Sequence, residues 1–268
     1  MSTESEGAPT NSRRQVISLD RALQLLDAFP ATADRVALAY LAEKVGLPPS
    51  TAHRLLQTLA QHGFVVNDGR GSYALGLKVW EVGSLAVRQR GLTPLMYPYL
   101  ERLVAEVGET GHIAVLDRYD IVYVGRLSGH KAVSVHTYLG QRAPAYCTAT
   151  GKAILTRQPP HVVREVLEQP LKAYTARTCV DAEEIRRQLE TGRKQGYVAN
   201  TGEWQEDLSG VAAPVLDFTG YSIGAIGAAG PRYRYSSDSI KRHGAIVAAI
   251  AQEMSRDMGL LQESAADT

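Results

Sequence analysis

The sequence contains few cysteines, no long apolar run and almost no net charge. Its 268 residues carry a formal net charge of +1 and include two cysteines, Cys147 and Cys179, with no Cys/His cluster of zinc spacing. No stretch of eighteen apolar residues is present, which argues against a membrane-spanning helix. Residues 1–11 are polar and lack the basic start and apolar middle of a signal peptide. These absences predict a cytoplasmic protein with no disulfide framework, no metal site and no membrane partner.

Motifs for catalysis are missing as well. Gly151-Lys152 is not a P-loop, because no glycine stands five positions before Gly151 and Ala153 follows the lysine. The glycines of residues 224–230 recur at every third position, which is not the dinucleotide fingerprint. Cys147 has no activating partner nearby in the sequence, so a buried small residue is the favoured interpretation. The sequence therefore predicts neither an enzyme active site nor a cofactor.

Positive charge is modestly enriched near the N-terminus, where the apolar spacing predicts three helices. Between Arg13 and Arg90 there are ten Lys or Arg against six Asp or Glu, a bias compatible with binding phosphate. The first helix starts at Ser18 and ends at Pro30, and the second ends at Gly46. The third starts at the prolines of residues 48–49 and ends at Gly63. Two short helices joined at a glycine are typical of a helix-turn-helix.

The third helix has the composition of a DNA-recognition helix. Its apolar face is formed by Ala52, Leu55, Leu56 and Leu59, and its opposite face is polar. A hairpin follows, with Phe64–Val66 and Tyr73–Leu75 flanking a glycine-rich loop, in the position of the wing of a winged helix. Arginine and glutamine suit base edges, serine and threonine suit phosphates, and Arg70 stands at the wing tip. The candidate DNA-binding residues are Pro49, Ser50, Thr51, His53, Arg54, Gln57 and Arg70.

The remaining sequence predicts a linker helix and a second, α+β domain with an antiparallel sheet. Hairpins and helices follow one another in a mixed order with few clean βαβ units, which favours an antiparallel sheet. We predict a disordered tail (1–14), a winged helix-turn-helix domain (15–77), a linker or dimerisation helix (78–94), a second domain (95–262) and a tail (263–268). In the second domain we expect helices at 98–107, 151–156, 161–168, 181–195 and 237–258, strands at 112–117, 121–127, 132–138, 211–216 and 222–229, and a turn at 140–144.

Several stretches, in this order and spacing, resemble the IclR family of bacterial transcriptional regulators from about Val16 to Gly259. They are Arg21–Phe29, Leu47–Leu59, Tyr73–Gly76, Cys147–Ala153, Ala212–Val215 and Gly230-Pro231. The resemblance implies a winged helix, a dimerising linker helix and a GAF/PAS-like effector domain. It also implies a homodimer, or a homotetramer, that binds a palindromic double-stranded DNA operator and responds to a small metabolite.

The resemblance also implies where the effector binds. The expected pocket residues are Ala149, Thr150, Gly151, Asn200, Leu208, Gly210, Gly227 and Ala229. Family members that bind small oxoacids can carry serines on the last strand, whereas this chain has Gly227 and Ala229. Glu203-Trp204 also departs from the usual paired acidic residues, which leaves the polarity of that wall open.

These departures predict an effector of ring size, such as a hydroxybenzoate. Gly227 and Ala229 offer no side-chain donors and leave room, and Leu208 with Tyr123 or Tyr138 would form an apolar wall. Backbone N–H groups of Thr150 and Gly151 could hold a carboxylate. Alternatively, Gly227 and Ala229 serve only close strand packing. We expect a repressor of a catabolic operon; the alternatives are an activator that senses a short oxoacid, an enzyme acting on a small ligand, and a constitutive DNA-binding protein.

Overall fold

The computed structural model describes residues 16–31, 33–89, 96–131, 133 and 137–266, with only the backbone given for 87–89 and 259–266. The chain forms two compact units, one up to Ala86 and one from Val87 onward. The N-terminal tail predicted for residues 1–14 lies outside the described residues. The same holds for residues 90–94 of the predicted linker helix and for most of the strand predicted over 132–138.

The first unit is a helix-turn-helix followed by a small antiparallel sheet. Its elements are α1 (Ile17–Asp27), β1 (Val36–Ala37), α2 (Leu38–Val45), α3 (Pro49–Gln61), β2 (Val65–Asn67), β3 (Ser72–Leu75) and most of α4 (Leu77–Gln89), whose last three residues belong to the second unit. Gly46 ends α2 with a left-handed φ of 69°, and Pro49 occupies the first turn of α3, as the sequence predicts. The strands lie in the order β1-β3-β2.

The core of the first unit fixes the exposed face of α3. Ala52 and Leu56 of α3 are buried against Leu25 of α1 and Leu41 of α2, while Tyr73 of β3 is also fully buried. These contacts leave the opposite side of α3 in solvent. The apolar spacing therefore identified the inward face correctly, and the sheet gains one short strand, β1, that the sequence did not predict.

The second unit is a six-stranded antiparallel sheet with helices on both faces. Its strands are β4 (Thr110–Asp117), β5 (Asp120–Leu127), β6 (Arg142–Pro144), β7 (Val198–Thr201), β8 (Leu208–Leu216) and β9 (Ser222–Pro231). Its helices are α5 (Met96–Val107), α6 (Ala149–Leu155), α7 (Pro160–Leu167), α8 (Ala182–Gln195) and α9 (Ser237–Ala266). The strand order is β6-β5-β4-β9-β8-β7, which confirms the predicted α+β class with an antiparallel sheet.

Side chains that point alternately to the two faces of the sheet form two separate hydrophobic cores in the second unit. Ile113 of β4, Val211 of β8 and Ile226 of β9 pack against α5 and α9. Their neighbours on the opposite face, such as Ala114 and Ala212, pack against α6 and α8. Side chains in a strand point alternately to the two faces. Every second residue of β4, β8 and β9 therefore faces α6.

The structure corrects several predicted elements. The turn predicted over 140–144 is wrong in its second half, because Arg142–Pro144 form β6 and pair with β5. Pro144 is tolerated there because β6 is an edge strand. β7 was not predicted. β8 begins at Leu208, whereas the prediction started it at residue 211, because the Ser209-Gly210 sequence has the composition of a loop and was not assigned to the strand. Finally, α9 extends to Ala266, into residues that the sequence assigned to a tail.

Candidate functional site

The exposed face of α3 carries most of the predicted DNA-binding residues. Pro49, Ser50, Arg54 and Gln57 are exposed, whereas Thr51 is half-buried. A helix that presents consecutive polar side chains beside a short sheet can lie in a DNA groove with those side chains on base edges. The structure thus brings these residues together on one surface.

His53 is the exception, because it is tied to the hairpin. Its Nδ1 lies 2.9 Å from the hydroxyl of Tyr73, whose ring is fully buried and whose pKa is raised by burial. One ring nitrogen of His53 is therefore engaged within the domain, and the contact joins α3 to β3. This arrangement suits a residue that orients the hairpin relative to α3.

The hairpin tip is shaped by two polar side chains that sequence reasoning missed. The Asp68 carboxylate accepts hydrogen bonds from the backbone N–H groups of Arg70 (2.7 Å) and Ser72 (3.0 Å), and the Asn67 side chain accepts one from Gly69 N–H (2.8 Å). The two bonds from Arg70 and Ser72 lower the pKa of Asp68. Arg70 is exposed at this tip. The Asn-Asp-Gly sequence of a tight turn was the available signal.

A pocket opens on the α6 face of the sheet in the second unit. The floor consists of residues paired across adjacent strands. Gly210 of β8 is paired with Asn200 of β7 and with Ala229 of β9. Gly227 of β9 is paired with His112 of β4. The start of α6 and the segment before β8 complete it. The lining is His112, Tyr123, Thr137, Cys147, Thr148, Ala149, Thr150, Asn200, Trp204, Gln205, Leu208, Ser209, Gly210, Val211, Gly227, Ala228 and Ala229.

Seven of the eight predicted effector residues line this pocket, and Gly151 does not. A Cβ at Gly151 would lie 2.3 Å from the carbonyl oxygen of Ala145, so glycine permits a close backbone contact there. The Gly151 N–H is within 3.2 Å of the Thr148 hydroxyl, which caps α6. The expectation that this N–H holds a carboxylate is therefore wrong. Of the two tyrosines suggested for the wall, Tyr123 lines the pocket and Tyr138 is half exposed.

Gly227 also serves packing and does not create room. A Cβ there would lie 2.7 Å from both the Cβ of Ala212 and the carbonyl oxygen of Val211. The space that a side chain would occupy is thus filled by β8. The expectation that Gly227 leaves room for a ligand is wrong. The other part of the expectation, that this position offers no side-chain hydrogen-bond donor, is unaffected.

No charged side chain lines the pocket among the residues that the structure describes. Burial, with a smaller contribution from the charge of Arg126, lowers the pKa of His112 to about 3, so its imidazole is neutral at physiological pH. Burial raises the pKa of Tyr123 to about 12, and burial together with the nearby Glu203 raises that of the Cys147 thiol to about 12. The Cys147 thiol therefore remains protonated, as an inert structural cysteine does.

The pocket is small and deepens towards His112, Tyr123 and Cys147, which are buried, whereas Gln205 at its rim is exposed. It encloses about 60 Å³. A closed apolar cavity that holds benzene measures roughly 150 Å³. A ring would therefore extend from the enclosed part towards the rim.

One hydroxyl group in the lining, that of Thr150, has unused hydrogen-bonding capacity. Within the described residues, no hydrogen bond of ordinary geometry reaches the buried Thr150 Oγ1, although the Tyr123 phenol lies beside it. The Ser209 Oγ also lacks a partner among these residues, but Ser209 alternates with Gly210 along β8, so its side chain lies on the opposite face of the sheet. Buried polar groups without partners are rare in folded proteins. The Thr150 hydroxyl is therefore a candidate for contacting a polar ligand.

A buried ion pair lies directly behind the pocket. Lys152 of α6, 1% exposed, places its Nζ 2.6 and 2.8 Å from the two carboxylate oxygens of Glu203 and 2.6 Å from the Gln188 side-chain oxygen. Asn200, whose side chain donates to the Cys147 carbonyl and accepts from the Glu203 N–H, links the pair to the pocket lining. Glu203 thus points away from the pocket, while its neighbour Trp204 lines it.

Removing Lys152 should destabilise the second unit. We expect Lys152→Met to lower the free energy of unfolding by roughly 3–5 kcal/mol, because it leaves the Glu203 carboxylate buried without its cation. Urea unfolding followed by circular dichroism measures the loss. Combining it with Glu203→Gln should recover much of the stability. The exposed pair Arg187–Glu184, at 2.7 Å, provides the control: Arg187→Met should cost no more than about 1 kcal/mol. Equal losses for Lys152→Met and Arg187→Met would contradict the role of the buried pair.

No helix among the described residues is both long and apolar enough to cross a membrane. Nor does any group of His, Cys, Asp and Glu in the described part of the chain have the arrangement of a metal site.

Comparisons with known proteins identify both units. Residues 18–69 match the IclR helix-turn-helix domain, and residues 84–256 match the bacterial transcriptional regulator IclR C-terminal domain. The transcriptional repressor IclR of Escherichia coli K12 is 34% identical over 249 residues, which cover 91% of each chain.

Solved structures agree. The IclR of Thermotoga maritima superposes with a TM-score of 0.76 at 27% identity, over 91% of this chain and 100% of that one. An IclR homolog from Microbacterium hydrocarbonoxydans, in complex with 4-hydroxybenzoate, gives a TM-score of 0.76 at 28% identity, over 90% and 98%. The relatives are regulators and not enzymes. With a DNA-binding helix-turn-helix and an effector domain, the chain belongs to the IclR family of transcriptional regulators.

Proposed function

We propose that this regulator is a repressor that binds a palindromic operator through α3 and the hairpin tip and releases it in response to a small organic acid. The exposed side chains of Arg54 and Gln57 on α3 are the observation that carries the DNA-reading part of the proposal. Arginine and glutamine present two hydrogen-bonding atoms that match guanine and adenine edges. Ser50 and Thr51 near the helix start, and Arg70 at the tip, suit phosphate contacts. The E. coli repressor, 34% identical, supports repression as the outcome.

Substitution of Arg54 tests base recognition. We expect Arg54→Ala to weaken binding to an operator selected with the wild-type protein by about 1–3 kcal/mol at fixed salt, because a contact to a base edge is lost. Binding to a scrambled duplex should change much less. Arg193→Ala, which removes the same charge from an exposed site on α8, provides the matched control in fluorescence anisotropy. Unchanged operator affinity would remove Arg54 from the base-reading set.

The exposed apolar side chains of the first unit support a homodimer, or a homotetramer built from it. Four large apolar residues of α4 are strongly exposed in the single chain: Leu77 (80%), Trp80 (68%), Leu85 (52%) and Val82 (48%). Several large apolar side chains exposed on one helix are typical of an interaction site. A two-fold dimer also matches the two half-sites of a palindrome.

A charge on α4 tests this interface. We expect Val82→Glu to yield monomers in sedimentation velocity and to weaken operator binding at least tenfold, since a buried unpaired carboxylate opposes association. Glu81→Gln, which alters one charge on the same exposed helix, should remain oligomeric. A dimeric Val82→Glu protein with normal operator affinity would place the interface elsewhere.

We further propose an aromatic acid as the effector. Tyr123, Trp204 and Leu208 give the pocket apolar and aromatic walls, and the Thr150 hydroxyl beside Tyr123 can bind a polar substituent. The related protein bound to 4-hydroxybenzoate supports the same class. The small enclosed volume favours a second candidate, a short oxoacid such as pyruvate, which would fit without reaching the rim.

Thermal unfolding of the full chain with matched acids separates the two candidates. At a concentration one hundred times its Kd, a ligand stabilises the folded state by about 2.7 kcal/mol. We expect 4-hydroxybenzoate or a close derivative to raise Tm, and pyruvate and glyoxylate to have little effect. In Ala229→Leu, which adds bulk to the pocket lining, the shift should disappear. Stabilisation by pyruvate or glyoxylate alone would overturn the aromatic assignment.

A further inference from the structure

His112 on β4 lies on the pocket floor and is only 2% exposed. It is paired in register with Gly227 on one side and Arg126 on the other. Its ring is tilted by 48° against that of Tyr123, with the ring centroids 5.0 Å apart. This position was not among the predicted effector residues. The contact with the Tyr123 ring restricts the orientation of the imidazole.

Hydrogen bonds around Thr137 determine which nitrogen of His112 carries the proton. The Arg126 Nε donates to Thr137 Oγ1 at 3.2 Å, and His112 Nε2 lies 2.6 Å from the same oxygen. An arginine can only donate, so Thr137 accepts from it. Among the described residues, His112 Nε2 is the only acceptor within reach of the Thr137 hydroxyl proton. Thr137 therefore donates to Nε2, and the proton of the neutral imidazole resides on Nδ1.

The Nδ1–H group has no partner in the described part of the chain. Among these described residues His112 makes no hydrogen bond besides that to Thr137, and its Nδ1 is not one of the fully enclosed polar atoms without a partner. Because the residue is almost completely buried but lines the pocket, the ring edge that carries Nδ1 opens onto the pocket. The site therefore holds a donor on a nearly buried side chain that a ligand can meet.

The donors point in one direction, from Arg126 through Thr137 and His112 to the pocket. Each hydrogen bond in such a chain polarises the next, so the charge of the arginine strengthens the terminal donor. A terminal N–H with a cation behind it favours an anionic acceptor. A carboxylate oxygen meets this requirement, and a hydroxyl group meets it less well.

We infer that His112 is a specificity-determining residue, whose Nδ1–H donates to a carboxylate oxygen of the effector, with Thr137 as the positioning residue that fixes the tautomer. The inference rests on the proposed function only in taking this pocket as the effector site. It holds for an aromatic acid and for a short oxoacid alike, because both carry the carboxylate.

Calorimetric titration of the full chain with 4-hydroxybenzoate, and separately with pyruvate, tests the inference. For each acid that the wild type binds, His112→Leu should weaken binding roughly tenfold or more, the cost of a lost charge-assisted hydrogen bond. His112→Asn, whose amide can place an N–H near the Nδ1 position, should retain most of the affinity. His243→Leu removes another buried histidine, which does not line the pocket, and should retain wild-type affinity.

Three further measurements separate a direct role of His112 from a structural one. Affinity for 4-hydroxybenzyl alcohol, which lacks the carboxylate, should be insensitive to His112→Leu. Thr137→Ser should behave as wild type, whereas Thr137→Val should weaken acid binding. Nitrogen-15 spectra should show the His112 proton on Nδ1 and a shift of that nitrogen on adding the bound acid. Wild-type acid affinity in His112→Leu, or a proton on Nε2, would overturn the inference; a response to pyruvate alone would overturn only the aromatic assignment.

Discussion

The arrangement of the pocket depends on the buried ion pair between Lys152 and Glu203. Glu203 stands in the segment that connects β7 to β8, and its carboxylate is bound by Lys152 of α6. The Thr178 hydroxyl donates to the Glu203 carbonyl at 2.6 Å, which attaches the segment to a second loop. With Glu203 held inward behind the pocket, the next residue, Trp204, lies in the pocket lining. A buried ion pair contributes little net stability, but removing one of its two partners is costly because the other charge stays buried and unpaired. Its role here is to fix the path of one chain segment.

The same pair explains how a cation can lie next to a pocket without charging it. Lys152 and Glu203 neutralise each other, so neither contributes a net charge to the lining. The groups that do line the pocket, His112, Tyr123 and Cys147, are all neutral at physiological pH because burial disfavours their charged forms. Recognition in such a site depends on the position and direction of single hydrogen-bonding groups. A buried donor or hydroxyl that lacks a partner costs about 1–3 kcal/mol, and a ligand that meets it recovers that free energy.

Sequence patterns predicted the two surfaces to different extents. On α3, the apolar spacing, the prolines at the start and Gly63 at the end defined the helix and its outward face, because all three signals are local. The pocket arises from residues far apart in sequence. Resemblance to a family supplied Asn200 and Ala229, but His112 was missed since its place beside Gly227 depends on the pairing of β4 with β9. The short strands β6 and β7, of three and four residues, were missed because runs of that length carry no clear alternation.

Gly227 and Gly151 show that predicting which residues lie near the pocket does not predict what each residue does there. Gly227 was expected in the pocket and is there, but for a different reason: β8 and β9 approach so closely that a Cβ would overlap β8. Gly151 was expected there and instead packs against the turn before α6. Both residues are needed for backbone packing, Gly227 between two strands of the sheet and Gly151 between α6 and the turn before it, and the pocket beside them encloses only about 60 Å³. The polar atoms of the pocket are therefore within reach of a single small ligand. An effector shifts a regulator between two conformations only when it binds one of them more tightly. Contacts with these atoms that differ between the two conformations would supply that difference in binding free energy.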